Sequence, residues 1–170
     1  MNNTPQSALS WIVTSIERWV DAVFPSAQTS EQNEMLALRR ACCGLLVEVA
    51  RLESAYPARK RAAVARALAE TFSMQPDETA AFIAAFDGRA DHYTSYFAPV
   101  ALINKRWSPP QKVRLVEQLW RVAMADGSLD MYEEHLVRKL ADLLYVSHTD
   151  FILAKHRALE CGGRELSEKV

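Results

Sequence analysis

Four carboxylates surround one glycine in ADGSLDMYEE, residues 125–134: Asp126, Asp130, Glu133 and Glu134 about Gly127. Closely spaced oxygen donors are what a hard divalent cation requires. The nearest template is the EF-hand loop, with ligands at positions 1, 3, 5, 7, 9 and 12 and glycine at 6. Setting Gly127 at position 6 puts Asp126 at 5, Asp130 at 9 and Glu133 at 12. Positions 1 and 3 then fall on Val122 and Met124, apolar residues in a helical pattern. Half a shell is left, so tight calcium binding is not expected. Asp126, Asp130 and Glu133 stand as a candidate site for a weakly held divalent cation.

The same residues also read as helix punctuation. Asp126 and Gly127 can end one helix, because glycine readily takes the positive φ common at helix ends. Asp130 can cap the next helix, and Glu133, three residues on, completes a capping box. Both acids face the positive end of that helix's dipole. Glu134 has Arg138 one turn later on the solvent side. This reading uses every residue of the turn, and a weak metal site can be superimposed on it.

Other reactive side chains are less organised. His92, His135, His148 and His156 fit no metal-ligand spacing. Cys42 and Cys43 lie in an apolar helix, where packing explains them better than thiol chemistry. No nucleophile elbow, phosphate loop or dinucleotide fingerprint occurs, so no enzymatic activity is expected. Tyr93, Tyr96 and Phe97 with Trp107 form a candidate aromatic partner patch, which core packing explains equally well.

Helices must position these groups. A first amphipathic helix is expected over residues 7–24, its stripe made by Ile12, Ile16, Trp19, Val20 and Val23. PSAQTSEQNE then reads as a loop, with Ser30 a cap for the next helix. Residues 34–53 and 111–125 are apolar over most of their circumference and belong between neighbours. These two helices also begin an internal repeat. A shift of 73 places Leu46 on Leu119 and Val49 on Val122, and a shift of 72 places Val64 on Leu136 and Leu68 on Leu140. Each copy, about 34–87 and 109–160, holds a central helix, a tight turn, an amphipathic helix and a shorter helix (76–87 or 147–160). In the first copy the acids are largely replaced, with Lys60 and Arg61 in place of Tyr132 and Glu133. Residues 91–106 supply a helix between copies, Ser108 and Pro109 open the second, and 161–170 reads as a flexible tail.

The chain of 170 residues is long enough to bury a core without disulfides. Its net charge of −1 argues against nucleic acid as the main partner. MNNTPQSALSWIVTSIERWVDAVF lacks a positive leader, and no window approaches the roughly 18 apolar residues of a membrane span. The cytoplasm is the expected address. The expected fold class is all-α: a compact bundle of about seven or eight helices built from two pseudo-repeated units over 31–160, after a separate helix and loop at 1–30.

With LWRVAMADGSLDMYEEHLVRKLADLLYVSHTDFI in view, the chain resembles the TerB-like, tellurite-resistance-associated helical domain. The resemblance lies on Ala125, Asp126, Gly127, Leu129, Asp130 and Glu133, which end one apolar helix and begin a leucine-rich one. The segment PVALINKRWSPPQKVRLVEQLW resembles the longer bacterial branch with two tandem copies. What the resemblance implies is a helical bundle linked to tellurite and other stress, often near membranes, without enzymatic activity. It also implies metal binding through the acidic residues. Two functions are therefore expected to compete: an interaction protein whose partners are other proteins, envelope- or membrane-associated ones included, and a divalent-metal sensor using the turn 126–134.

Overall fold

The computed structural model describes residues 27–52, 58–87 and 96–167. Among them lie seven helices and no strand: α1 (Ala27–Ala50), α2 (Ala58–Phe72), α3 (Pro76–Asp87), α4 (Phe97–Arg106), α5 (Pro109–Ala123), α6 (Met131–Leu143) and α7 (His148–Ser167). The all-α expectation holds. The chain divides into two units, Met1–Ala37 and Leu38–Val170. In the first, residues 27–37 are described and helical; the helix expected over 7–24 lies outside the described residues.

The expected loop over PSAQTSEQNE is corrected from its third residue onward, since α1 begins at Ala27, and Ser30, expected as a cap, lies inside the helix. Glutamine and glutamate propagate a helix well, and polarity signals exposure rather than irregular backbone. Residues 30–33 are exposed accordingly. A second difference lies at the other end, where the backbone stays helical to Ser167 through the segment expected as a tail. No proline interrupts it, and Gly162 and Gly163 each cost only about 1 kcal/mol against alanine.

The unit Leu38–Val170 is organised around the two apolar helices singled out by their composition. In α1, Ala41, Cys42, Cys43, Leu45, Leu46, Val47, Val49 and Ala50 are buried; in α5, Leu115, Val116, Leu119, Trp120, Val122 and Ala123 are. Each leucine or valine withdrawn from water contributes about 1.5–3 kcal/mol. α5 packs chiefly on α7 and α6, and α2 on α3 and α5. Trp120 meets the ring of Phe151 from α7 at 5.3 Å.

Helix ends follow local rules. Ser108 precedes α5, and the side chain of Gln111 accepts its backbone N–H at 2.9 Å. α2 and α6 end alike: Ser73 (φ 52°) and Tyr145 (φ 56°) take left-handed backbone. The next residues, buried Met74 and Val146, donate back to Ala69 O at 3.2 Å and Ala141 O at 3.0 Å. Left-handed closure with a six-to-one hydrogen bond satisfies carbonyls that a helix end leaves open.

Candidate functional site

The corner between α5 and α6, residues 124–130, carries the acidic turn. α5 ends at Ala123, and Gly127 has φ +88° with its N–H on Met124 O at 3.1 Å. Nothing lies within 4 Å of a Cβ added there, so glycine is required by backbone angle and not by space. Asp126 Oδ1 accepts from the backbone N–H and the hydroxyl of Ser128, each at 3.1 Å. Asp130 is the N-cap of α6: its Oδ1 accepts the Tyr132 N–H at 2.6 Å. Glu133 returns the bond, with Oε2 on the Asp130 N–H at 3.3 Å. The capping box read from the residues is formed.

Glu133 Oε1 and Asp126 Oδ2 turn to a residue that sequence reasoning had noted only as standing in place of Tyr132. Lys60, in the first turn of α2, is 0% exposed, and Glu133 is too. Lys60 Nζ donates to Glu133 Oε1 and lies 3.1 Å from Asp126 Oδ2, whose side chain is 18% exposed. An ionised carboxylate is not left alone in a protein interior, because the lost hydration is far too costly without a counter-charge. Lys60 is that counter-charge. One signal could have found it: in ARKRAAVARAL, Lys60 shares its helix face with Val64, Ala67 and Leu68, and a lysine on a buried stripe demands a buried acid.

The electrostatics hold Lys60 and Asp126 charged. Burial by itself lowers the pKa of Lys60, but its hydrogen bonds to Glu133 and Asp126, and their charges, more than offset this and raise it above the ordinary lysine value. Burial likewise works to raise Asp126; the Ser128 backbone N–H and then Lys60 outweigh it and pull the carboxyl below its ordinary range. Proton transfer at neutral pH needs a group titrating near neutrality. Lys60 and Asp126 are both driven away from it.

The three residues read as metal ligands are therefore placed differently from one another. Asp126 and Glu133 converge on Lys60 Nζ, while Asp130 is turned to the first N–H groups of α6. Val122 is fully buried and Met124 half-buried, so the missing half of a calcium loop is not supplied by the fold. Among the described residues no three His, Cys, Asp or Glu side chains are grouped to hold a metal ion. The residues present do not fit a divalent ion at this corner, because an ammonium already stands between the two inward carboxylates.

The aromatic patch divides as well. Phe97 is 80% exposed, and Tyr96 is half-buried with Lys139 Nζ 5.4 Å from its ring centre. Trp107 turns to the core, its ring 6.1 Å from that of Phe72. Tyr93 and His92 lie outside the described residues. An exposed aromatic that sequence reasoning missed is Tyr145, 81% exposed at the end of α6, with Lys112 Nζ 5.7 Å from its ring centre. It stands on left-handed backbone, at φ 56°. Cys42 and Cys43 are fully buried, and burial, then the neighbouring Cys43, pushes the Cys42 thiol far above its usual range. A thiol held protonated is a poor nucleophile.

Residues 39–156 match the family model described as tellurite resistance protein TerB. The chain belongs to the TerB family. No curated protein and no solved structure matches it. The matched span contains both Lys60 and the acidic corner, so the buried ion pair is internal to the TerB domain of this chain. No helix among the described residues is long and apolar enough to cross a membrane.

Proposed function

We propose that this TerB-family chain acts without catalysis, as a helical interaction protein in a tellurite- or stress-linked system, with another protein as its partner. The observation that carries this reading is the outward exposure of two large aromatic side chains. Phe97 and Tyr145 are 80% and 81% exposed, with Leu143 partly exposed beside Tyr145. They lie along α4 and the end of α6, which are tied where Asn104 Nδ2 donates to Leu143 O at 2.9 Å. Lys112, itself hydrogen-bonded to Asn104 Oδ1 at 3.2 Å, stands over Tyr145, and Lys139 over Tyr96. Large aromatics framed by cations are what an interface centre needs: apolar area with few rotatable bonds, and charge at the rim. The envelope-linked setting of the partner belongs to the same proposal.

A non-catalytic role agrees with the chemistry at the acidic corner, where lysine and aspartate are held in their charged forms. The competing sensor reading, with a divalent ion on Asp126, Asp130 and Glu133, must displace Lys60 to operate.

The test combines crosslinking in tellurite-stressed host cells with survival of those cells, comparing wild type with a Phe97→Ser/Tyr145→Ser chain. The expected outcome is loss of specific crosslinks and of protection, with melting temperature within about 2 °C of wild type, as befits exposed positions. Full crosslinking and protection by the double variant would remove the basis for this surface.

A further inference from the structure

We propose that Lys60 is the resident cation of the acidic corner: the chain supplies from within what a divalent ion would otherwise supply, making the corner an ion-independent joint between α2 and the α5–α6 turn. Three observations converge on this.

The first is an accounting of oxygens. Glu133 Oε1 takes Lys60 and Oε2 takes the Asp130 N–H. Asp126 Oδ1 takes Ser128 twice, and Oδ2 takes Lys60. Asp130 Oδ1 takes the Tyr132 N–H. Calcium needs six to eight oxygens at about 2.3–2.6 Å and magnesium a near-ideal octahedron. Either ion would have to break the capping box or part Lys60 from two carboxylates at a place where no water reaches its ammonium.

The second is the placement of the lysine. Cations are unfavourable in the first turn of a helix, where the dipole is positive. α2 nonetheless opens with Arg59, Lys60 and Arg61 and has no acid in that turn. Arg59 and Arg61 extend into solvent, whereas Lys60 is 0% exposed. Two carboxylates at its tip account for a position that the helix itself disfavours.

The third is the choice of cation. A lysine ammonium is a compact point charge with three donors, suited to bridging two carboxylates that approach from different directions. Its local concentration is set by the fold and not by the cell, so it competes with free ions at a permanent advantage.

The experiment uses the full chain, with calorimetric titration of Ca²⁺ and Mg²⁺ and thermal melts in either ion or in chelator. Wild type, Lys60→Met and Glu133→Gln are compared. Wild type is expected to give no saturable heat below millimolar and the same melting temperature with ion or chelator. Lys60→Met is expected to melt lower in chelator, to gain Ca²⁺ affinity by about tenfold or more once a like charge is removed, and to recover part of its melting temperature in Ca²⁺. Submillimolar binding by wild type that Glu133→Gln abolishes overturns the proposal, and this measurement stands even if Lys60→Met does not fold. A Lys60→Met chain that melts with wild type overturns it as well.

Discussion

Glu133 and Glu134 follow one another in α6, and the helix turns their side chains about 100° apart. Glu133 is drawn fully into the core and meets Lys60 from a helix far earlier in the chain. Glu134 stays at the surface, 3.3 Å from Lys155 and 3.7 Å from Arg138, with its side chain 37% exposed. In ion-pair partners alone, two against one, Glu134 is the better-connected anion. What separates them is solvent. Water and salt screen the surface pair and can replace it, whereas nothing can replace Lys60 for a buried carboxylate.

That contrast can be broken in order of size. The largest effect is expected at Glu133→Ala, which takes the fully buried carboxylate away from the Lys60 ammonium and should cost about 3–5 kcal/mol in denaturant unfolding. Replacing both members, Lys60→Met with Glu133→Leu, should restore most of that loss, because two apolar side chains need no counter-charge. A double variant as unstable as Glu133→Ala would show the pair to be worth more than its burial penalty. Next comes Asp126→Asn, expected to cost about 1–2 kcal/mol at neutral pH through charge-assisted hydrogen bonds. Its pH dependence sharpens the comparison. The folded pKa of Asp126 lies below the unfolded value, so its contribution is complete above about pH 4 and disappears as pH falls through the depressed folded value. Wild type and Asp126→Asn should therefore converge in stability in acid. The smallest effect belongs to Glu134→Ala, at under about 0.5 kcal/mol and declining with added salt. A cost equal to that of Glu133→Ala would show that burial is not what distinguishes the neighbours.

Much of the fold was legible in the residues. The apolar circumference of Leu115–Ala123 and the run from Leu45 to Ala50 each mark a helix enclosed by others, and both are buried. Asp130 and Glu133 announce a capping box three residues apart, and the box is there. The polar stretch before Asn33 misled because polarity reports solvent exposure, and an exposed helix end is as polar as a loop. Trp107 and Phe97 look alike in a list of aromatics, yet only Phe97 faces solvent, since that choice depends on where Phe72 arrives from another helix.

What this sequence determines by itself is local: where helices start and stop, which faces are apolar, and which carboxylates cap. These follow from interactions spanning three or four residues, whose geometry the helix fixes in advance. The assignment of Glu133 to Lys60 belongs to the tertiary structure alone. The two residues are 73 positions apart, and the period of a helix, which relates residues three or four apart, does not say which buried anion a buried cation on another helix will meet. Only when α2 packs against the α5–α6 corner does the interior exclude water from both charges, and exclusion of water is what turns two ordinary ionisable side chains into obligatory partners.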